Sequence, residues 1–148
     1  QYSSYISSTA GFCNDRDTAS DSVWTENDIV SFAARERLFT NKNPSLKCNP
    51  SDILNIPIGL ITADEVAYAG GVYGTNNGSY YLYTGSSYWT MTPMQHALTY
   101  LFIQDSSGEL APNSIQAGDG VRPVINLDAS VTLSGSGTSS DPYTVVGA

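Results

Sequence analysis

Hydrophobic and polar positions divide the chain into an early part with helical spacing and a late part with strand spacing. Residues 1–23 are polar, with a Ser/Tyr-rich start and an acidic stretch from Asp15 to Asp21. Thr25 followed by Asp28 predicts a capped helix over about 26–39, with Ile29, Phe32, Ala33 and Phe39 on its apolar face. Asn41–Pro50 holds two prolines and predicts a turn-rich connection. Ile53–Ile61 is apolar and β-branched, interrupted by Pro57 and Gly59. It leads into Thr62-Ala63-Asp64-Glu65, a Thr-x-x-Glu capping box, and Gly70-Gly71 ends the short helix that follows. Val66 and Ala69 are expected to face inward.

From Val72 the spacing is that of strands. Asn76-Asn77-Gly78 predicts a hairpin turn. Tyr80–Tyr83 and Tyr88–Thr92 read as strands around Thr84–Ser87, and Ala97–Gln104 as another before an Asp105–Gly108 turn. Gly118-Asp119-Gly120 precedes a strand over Val121–Leu127. Val131–Leu133 and Tyr143–Val146 read as a closing hairpin. Helices early and strands late predict one α+β domain over 1–148 with mainly antiparallel pairing.

The 148 residues carry 6 Lys+Arg against 14 Asp+Glu, a net charge of −8. Such a chain lacks the clustered cations that neutralise phosphates, so nucleic acid is not an expected partner. No apolar run reaches the roughly 20 residues of a membrane helix, so this segment is not expected to insert in a membrane. Charged residues are only 14%, and Ser, Thr, Asn, Gly and ten Tyr take their place. The even pair Cys13 and Cys48 in this context predicts a disulfide and an extracellular setting. It would close a loop of about 35 residues, worth roughly 3–4 kcal/mol. The first residue is Gln1, which predicts a removed leader or a larger parent chain.

Three groups of residues could carry function. Asp15, Asp17, Asp21 and Glu26 match positions 1, 3, 7 and 12 of a Ca²⁺ loop. Ser20 replaces its glycine and Ser22 its apolar residue, so a solvated acidic loop is the competing reading. No cofactor other than this Ca²⁺ is expected. The second group is Tyr73, Asn76, Asn77, Tyr80, Tyr81, Tyr83, Ser87 and Tyr88, beside Trp89. Aromatics mixed with small polar residues make adaptable contact surfaces. On a strand Tyr81 and Tyr83 would share one face and Tyr80 and Leu82 the other, so one face packs inward. Packing with hydrogen-bonded phenol tips competes with display, and Trp89 is expected in the core. The third is Arg122, expected to be buried against Asp64, Glu65 or Glu109. His96 is the lone histidine, and no nucleophile-elbow motif accompanies it. Asp64-Glu65 reads as the acidic first turn of a helix rather than a glycosidase pair. Asn77-Gly78-Ser79 has the glycosylation spacing but reads more simply as a turn.

Leu60-Ile61-Thr62-Ala63-Asp64-Glu65-Val66 with Ala69-Gly70-Gly71 resembles the short helix of the C-type-lectin-like and formylglycine-generating-enzyme superfamily. Tyr88-Trp89-Thr90-Met91-Thr92-Pro93 resembles its central Trp-containing strand, and Gly120–Leu127 its late arginine-bearing strand. Gly11-Phe12-Cys13-Asn14-Asp15-Arg16, Thr40-Asn41-Lys42 and Gly137-Thr138…Asp141-Pro142-Tyr143 extend the likeness. With these segments the chain resembles largely uncharacterised secreted and surface proteins of Gram-positive, often gut, bacteria. The resemblance implies a C-type-lectin-like fold preceded by a further upstream helix. It also argues against oxidase chemistry, which needs two late cysteines.

Together these readings predict an extracellular, non-enzymatic surface module. It would serve adhesion, recognition or pilus-like fibre assembly, burying a Tyr-rich patch against a protein, a glycan or copies of itself. A secreted enzyme with an acidic, Ca²⁺-dependent site and a glycan-binding lectin domain are the alternatives.

Overall fold

The computed structural model describes residues 3–20, 23–25, 28–96, 99–138 and 140–147. The architecture is mixed α+β, with few helices and small antiparallel sheets. The largest sheet has three strands, β4 (Tyr88–Gln95), β5 (Tyr100–Gln104) and β6 (Leu110–Ser114), with β5 in the middle. Among the described residues three two-stranded ribbons accompany it. β1 (Phe12–Cys13) pairs with β2 (Ile53–Leu54), β3 (Ile58–Gly59) with β7 (Val124–Ile125), and β8 (Leu133–Ser134) with β9 (Thr144–Val145).

β4 alternates strictly, with Tyr88, Thr90, Thr92 and Met94 buried and their neighbours half-buried, as a strand with one covered face requires. It runs past the expected end at Thr92 to Gln95, and its register shifts on either side of Pro93, which has no amide to give a ladder. Helix α1 (Ala63–Ala69) lies across the sheet. The expected capping box is present: Thr62 accepts from the Glu65 amide, and the Glu65 carboxylate accepts from the Thr62 amide. Gly70 ends the helix at φ 127°, a conformation that favours glycine. Val66 is fully buried as expected, and Ala69 is half-buried. The core joins Ala34, Leu38, Ala63, Val66, Tyr80, Met94, Phe102 and Leu110.

Several local expectations change. The Thr25–Asp28 hydrogen bonds form, but Val30–Phe32 is extended. Phe32 donates to the Met94 carbonyl and the His96 amide donates to Val30, so the segment is held along the edge of β4. Helix begins only at Ala33 and widens into a π turn over Arg35–Thr40, closed by the Asn41 amide on the Glu36 carbonyl. Ile29, placed on the apolar face by helical spacing, is exposed, while Val30 is buried.

Asn76–Gly78 makes no hairpin. The Asn77 side-chain amide donates to the Gly70 carbonyl, and its backbone amide donates to Ser107, so Asn77 fastens a loop. Tyr80–Tyr83 is a turn, with the Tyr83 amide on the Tyr80 carbonyl, and the two-faced strand pattern does not arise. Tyr100, not Ala97, opens β5, and Ala97 and Leu98 lie outside the described residues. The Val121–Leu127 strand shrinks to β7 plus a bridge from Leu127 to Ile6. The Asp105–Gly108 turn and the closing hairpin form where expected. Among the described residues no helix is long and apolar enough to cross a membrane.

Candidate functional site

The cysteines are joined, with Cys13 and Cys48 Cα atoms 5.9 Å apart. The bridge fastens β1 to the Asn41–Pro50 connection. Beside it opens a cleft of about 280 Å³ between Phe12, Cys13, Lys47, the start of α1 and Val124. Its carboxylates are Asp15, Asp64 and Glu65, and protein donors engage all three. Arg37 grips Asp64 twice, Nε to Oδ1 at 2.8 Å and Nη2 to Oδ2 at 2.6 Å, and reaches Asp15 Oδ2 at 2.5 Å. The Ser45 amide adds a third bond to Asp64. Glu65 is committed to the helix cap. Burial pushes the Asp15 carboxyl above its ordinary value against the pull of Arg37, and the paired carboxylates hold the Arg37 proton more tightly than usual. This triad ties three stretches of chain together. Removing its arginine would leave two carboxylates unpaired, at a cost of about 3–5 kcal/mol.

Of the acidic-loop candidates, Asp15 is thus turned to Arg37, and Asp17 lies near the Asn49 side-chain amide at 3.5 Å. Asp21 and Glu26 lie outside the described residues. Among the described residues no group of three or more His, Cys, Asp or Glu is arranged to hold a metal ion.

The tyrosine segment is largely turned inward, the packed alternative of its two sequence readings. Tyr80 and Tyr88 are buried, at 9% and 2% exposure. Tyr80 donates to the Gly108 carbonyl, Tyr83 to Ser106 and Tyr88 to Leu82. Two of these phenols hold the β5–β6 turn against the loop before β4. Gly108 there has φ 82°, and a Cβ on it would meet the Asn77 carbonyl oxygen. Burial pushes both the Tyr80 and Tyr88 phenols above the ordinary value of 10. Asn76 Oδ1 accepts from Ser107 Oγ at the same joint, whereas the Ser87 carbonyl accepts from Gly120, in the segment after β6. Of these tyrosines Tyr81 alone is exposed, at 82%, and Asn76 is exposed beside the Ser107 contact. Trp89 is half-buried rather than in the core.

Arg122 is exposed and meets none of the three acids expected for it. Its Nη1 donates to the Leu82 carbonyl, and its guanidinium lies 4.7 Å from the Tyr88 ring centre. The hydroxyl of Tyr88 and the fork of Arg122 therefore share one acceptor. Asp64 is taken by Arg37, and Glu109 accepts from the Gly74 amide. His96 stacks on the exposed Trp24 at 4.5 Å.

Tyr73 differs from the other candidates. Its ring packs on Phe39 at 4.0 Å between centres, and the Arg35 guanidinium sits 4.9 Å from the centre of the same Phe39 ring. Arg35 and Phe39 stand four apart on the π turn, which sets them on neighbouring positions of one face. Lys42, at φ 48°, brings its ammonium to within 3.9 Å of where a Cβ on Gly74 would stand, next to Tyr73. Among the described residues neither Arg35 nor Lys42 forms an ion pair, and the Tyr73 hydroxyl has no hydrogen-bond partner. The Arg35 Nε is buried and also unpartnered. An apolar notch of about 30 Å³ lies between Lys42 and Tyr73, floored by Leu38 and Leu110. Sequence reasoning picked Tyr73 from this row and missed Arg35, Phe39 and Lys42. The i, i+4 spacing of Arg35 and Phe39 was the available signal.

No family model, no curated protein and no solved structure matches this chain.

Proposed function

We propose that the chain is an extracellular, non-enzymatic recognition module of C-type-lectin-like fold, of the kind carried on Gram-positive bacterial surfaces. The order of elements supports the fold: a capped helix ended by glycines, a Trp-bearing strand, a hairpin, then an arginine-bearing segment. The disulfide supports an oxidising compartment. The observation that carries the recognition reading is the Arg35–Phe39–Tyr73–Lys42 row. It combines two cations without ion pairs and two stacked aromatic rings, whereas the other arginines of this acidic chain are engaged. Arginine and tyrosine are the side chains that dominate binding hot spots. The acidic cleft supports an enzyme less well. Acid–base pairs need carboxyls with separated pKa values and accessible lone pairs, and here Arg37 and the helix cap engage them.

Arrays of glycans and surface proteins probed with the disulfide-bonded chain test this reading. Hits should fade in Arg35→Ala and Tyr73→Ala and persist in Tyr81→Ala. Hits that persist in both row variants, or turnover of a saccharide abolished by Asp64→Asn in a folded protein, would overturn it.

A second observation favours assembly from copies of the chain. Ile58 and Ile125 face each other across the β3–β7 ribbon and are 51% and 44% exposed, with Ile56 and Leu127 exposed nearby. Ile53–Ile61 and Pro123–Leu127 contain no charged residue, so two acidic copies could meet there without close repulsion. Light scattering across a concentration series should show association that Ile58→Lys abolishes. A monomer at every concentration would exclude it.

A further inference from the structure

Building on the recognition reading, we propose that the Arg35–Phe39–Tyr73–Lys42 row binds a carboxylate-bearing saccharide. Three of the chain's four arginines are engaged elsewhere, and Lys47, at the cleft beside the disulfide, forms no ion pair among the described residues. Arg37 is consumed by two aspartates, Arg16 lies 3.5 Å from Asp52, and Arg122 caps a carbonyl. Arg35 has only an aromatic face beneath it. With its Nε buried, the ring-held guanidinium meets a ligand through its two Nη groups, an edge that a planar carboxylate matches with two parallel bonds. The Lys42 ammonium supplies a second positive charge beside Gly74 and the notch that Tyr73 lines.

The aromatic part determines what carries the carboxylate. Tyr73 is half-buried, with its ring backed by Phe39 and its hydroxyl unused, so it offers a firm apolar surface with a polar tip. The C–H face of a sugar ring fits such a surface, and its hydroxyls match the phenol. The net charge of −8 disfavours a strongly acidic polypeptide, which would bring many negative charges near the surface at once. A saccharide with isolated carboxylates meets less of that repulsion. The backbone beneath the row is unusual as well: π turns are rare and recur at functional sites, and this one places Arg35 and Phe39.

Titration calorimetry at low salt would use uronic-acid and sialic-acid oligosaccharides, their methyl esters and an Asp/Glu-rich peptide as probes. At least one carboxylated saccharide should bind ten-fold or more tightly than its ester. Arg35→Gln should weaken it ten-fold or more, Tyr73→Ala ten-fold and Lys42→Gln about three-fold, with the melting temperature of the exposed Lys42→Gln variant held within about 2 °C. Equal binding of acid and ester, or a peptide that binds more tightly than every saccharide, overturns the carboxylate-saccharide assignment. If the row variants still abolish that binding, the recognition reading stands. Binding of a carboxylated saccharide that Arg35→Gln and Lys42→Gln both leave unchanged removes the row as the site, and no binding to any probe removes the assignment. Lys42→Gln is an exposed substitution, so the test remains decisive even where Arg35→Gln disturbs the π turn.

Discussion

Two aromatic regions of this molecule are built from the same side chains and do opposite things. Around the β5–β6 turn, Tyr80, Tyr83 and Tyr88 point their hydroxyls at carbonyls of neighbouring loops, and Arg122 joins them. At the π turn, Tyr73 and Arg35 pack on the Phe39 ring, yet the hydroxyl and the guanidinium have no protein acceptor among the described residues. In the first region these three phenol tips and the guanidinium are used to fold the chain. In the second the tips are held in place and left unpaired. A buried or half-buried donor without an internal partner weakens a fold. Besides Arg35 Nε, the acceptor-capable atoms Asp52 Oδ2, His96 Nδ1 and Gln104 Oε1 are buried without a partner among the described residues, but only Arg35 stands beside an unused phenol. Tyrosine content alone does not separate scaffold from contact surface; the fate of each hydroxyl does.

The largest expected effect comes from the scaffold. Gly108→Ala would place a Cβ against the Asn77 carbonyl at a φ of 82°. We expect a loss of about 3–4 kcal/mol, read as a fall in melting temperature of roughly 10 °C. A fall under 2 °C would mean that the joint between the two loops is loose.

Next is Tyr88→Phe. Its lost bond leaves the Leu82 carbonyl still served by Arg122, so about 0.5–1 kcal/mol should disappear in a denaturant titration. The double variant Tyr88→Phe/Arg122→Ala should lose more than the sum of the singles, because only then does the acceptor stand alone.

Alkaline titration gives the third contrast. Burial raises the folded Tyr80 and Tyr88 pKa values above 10, so the fold retains these protons more firmly than the unfolded chain does. Their contribution is complete below pH 10 and is lost as the pH climbs through the folded values. Absorbance near the tyrosinate band should therefore show two phenols that ionise only as the chain unfolds. Ionisation of all rings in step, with the fold intact, would place the two phenols in solvent. The smallest effect belongs to the row: Arg35→Ala should change stability by no more than about 1 kcal/mol, the scale of one cation–π contact.

What the sequence made legible follows the range of each interaction. The capping box at Thr62 and Glu65, the glycine stop at Gly70 and the turn at Asp105–Gly108 are local contacts, and all form as read. The Cys13–Cys48 bridge was legible from an even pair in a lysine-poor chain. The 26–39 helix failed because Val30 and Phe32 exchange backbone bonds with the far end of β4, a pairing over 60 residues away in sequence that helical spacing cannot register. Tyr80–Tyr83 failed for the related reason that its partner is a turn, not a strand. A buried Arg122 would need a carboxylate, and its place on the surface removes that need. At the candidate site, Tyr73 was visible as one tyrosine among ten. Its separation from the others depends on which carbonyls lie within reach, and only the tertiary arrangement decides that.

Matched thermal melts of Tyr80→Phe and Tyr73→Phe test the scaffold–contact division most directly, since each deletes one hydroxyl and nothing else. Tyr80→Phe strands the buried Gly108 acceptor and should lose about 1–3 kcal/mol, while Tyr73→Phe should stay within about 0.5 kcal/mol of the parent. Equal losses, or a larger one at Tyr73, would contradict the division.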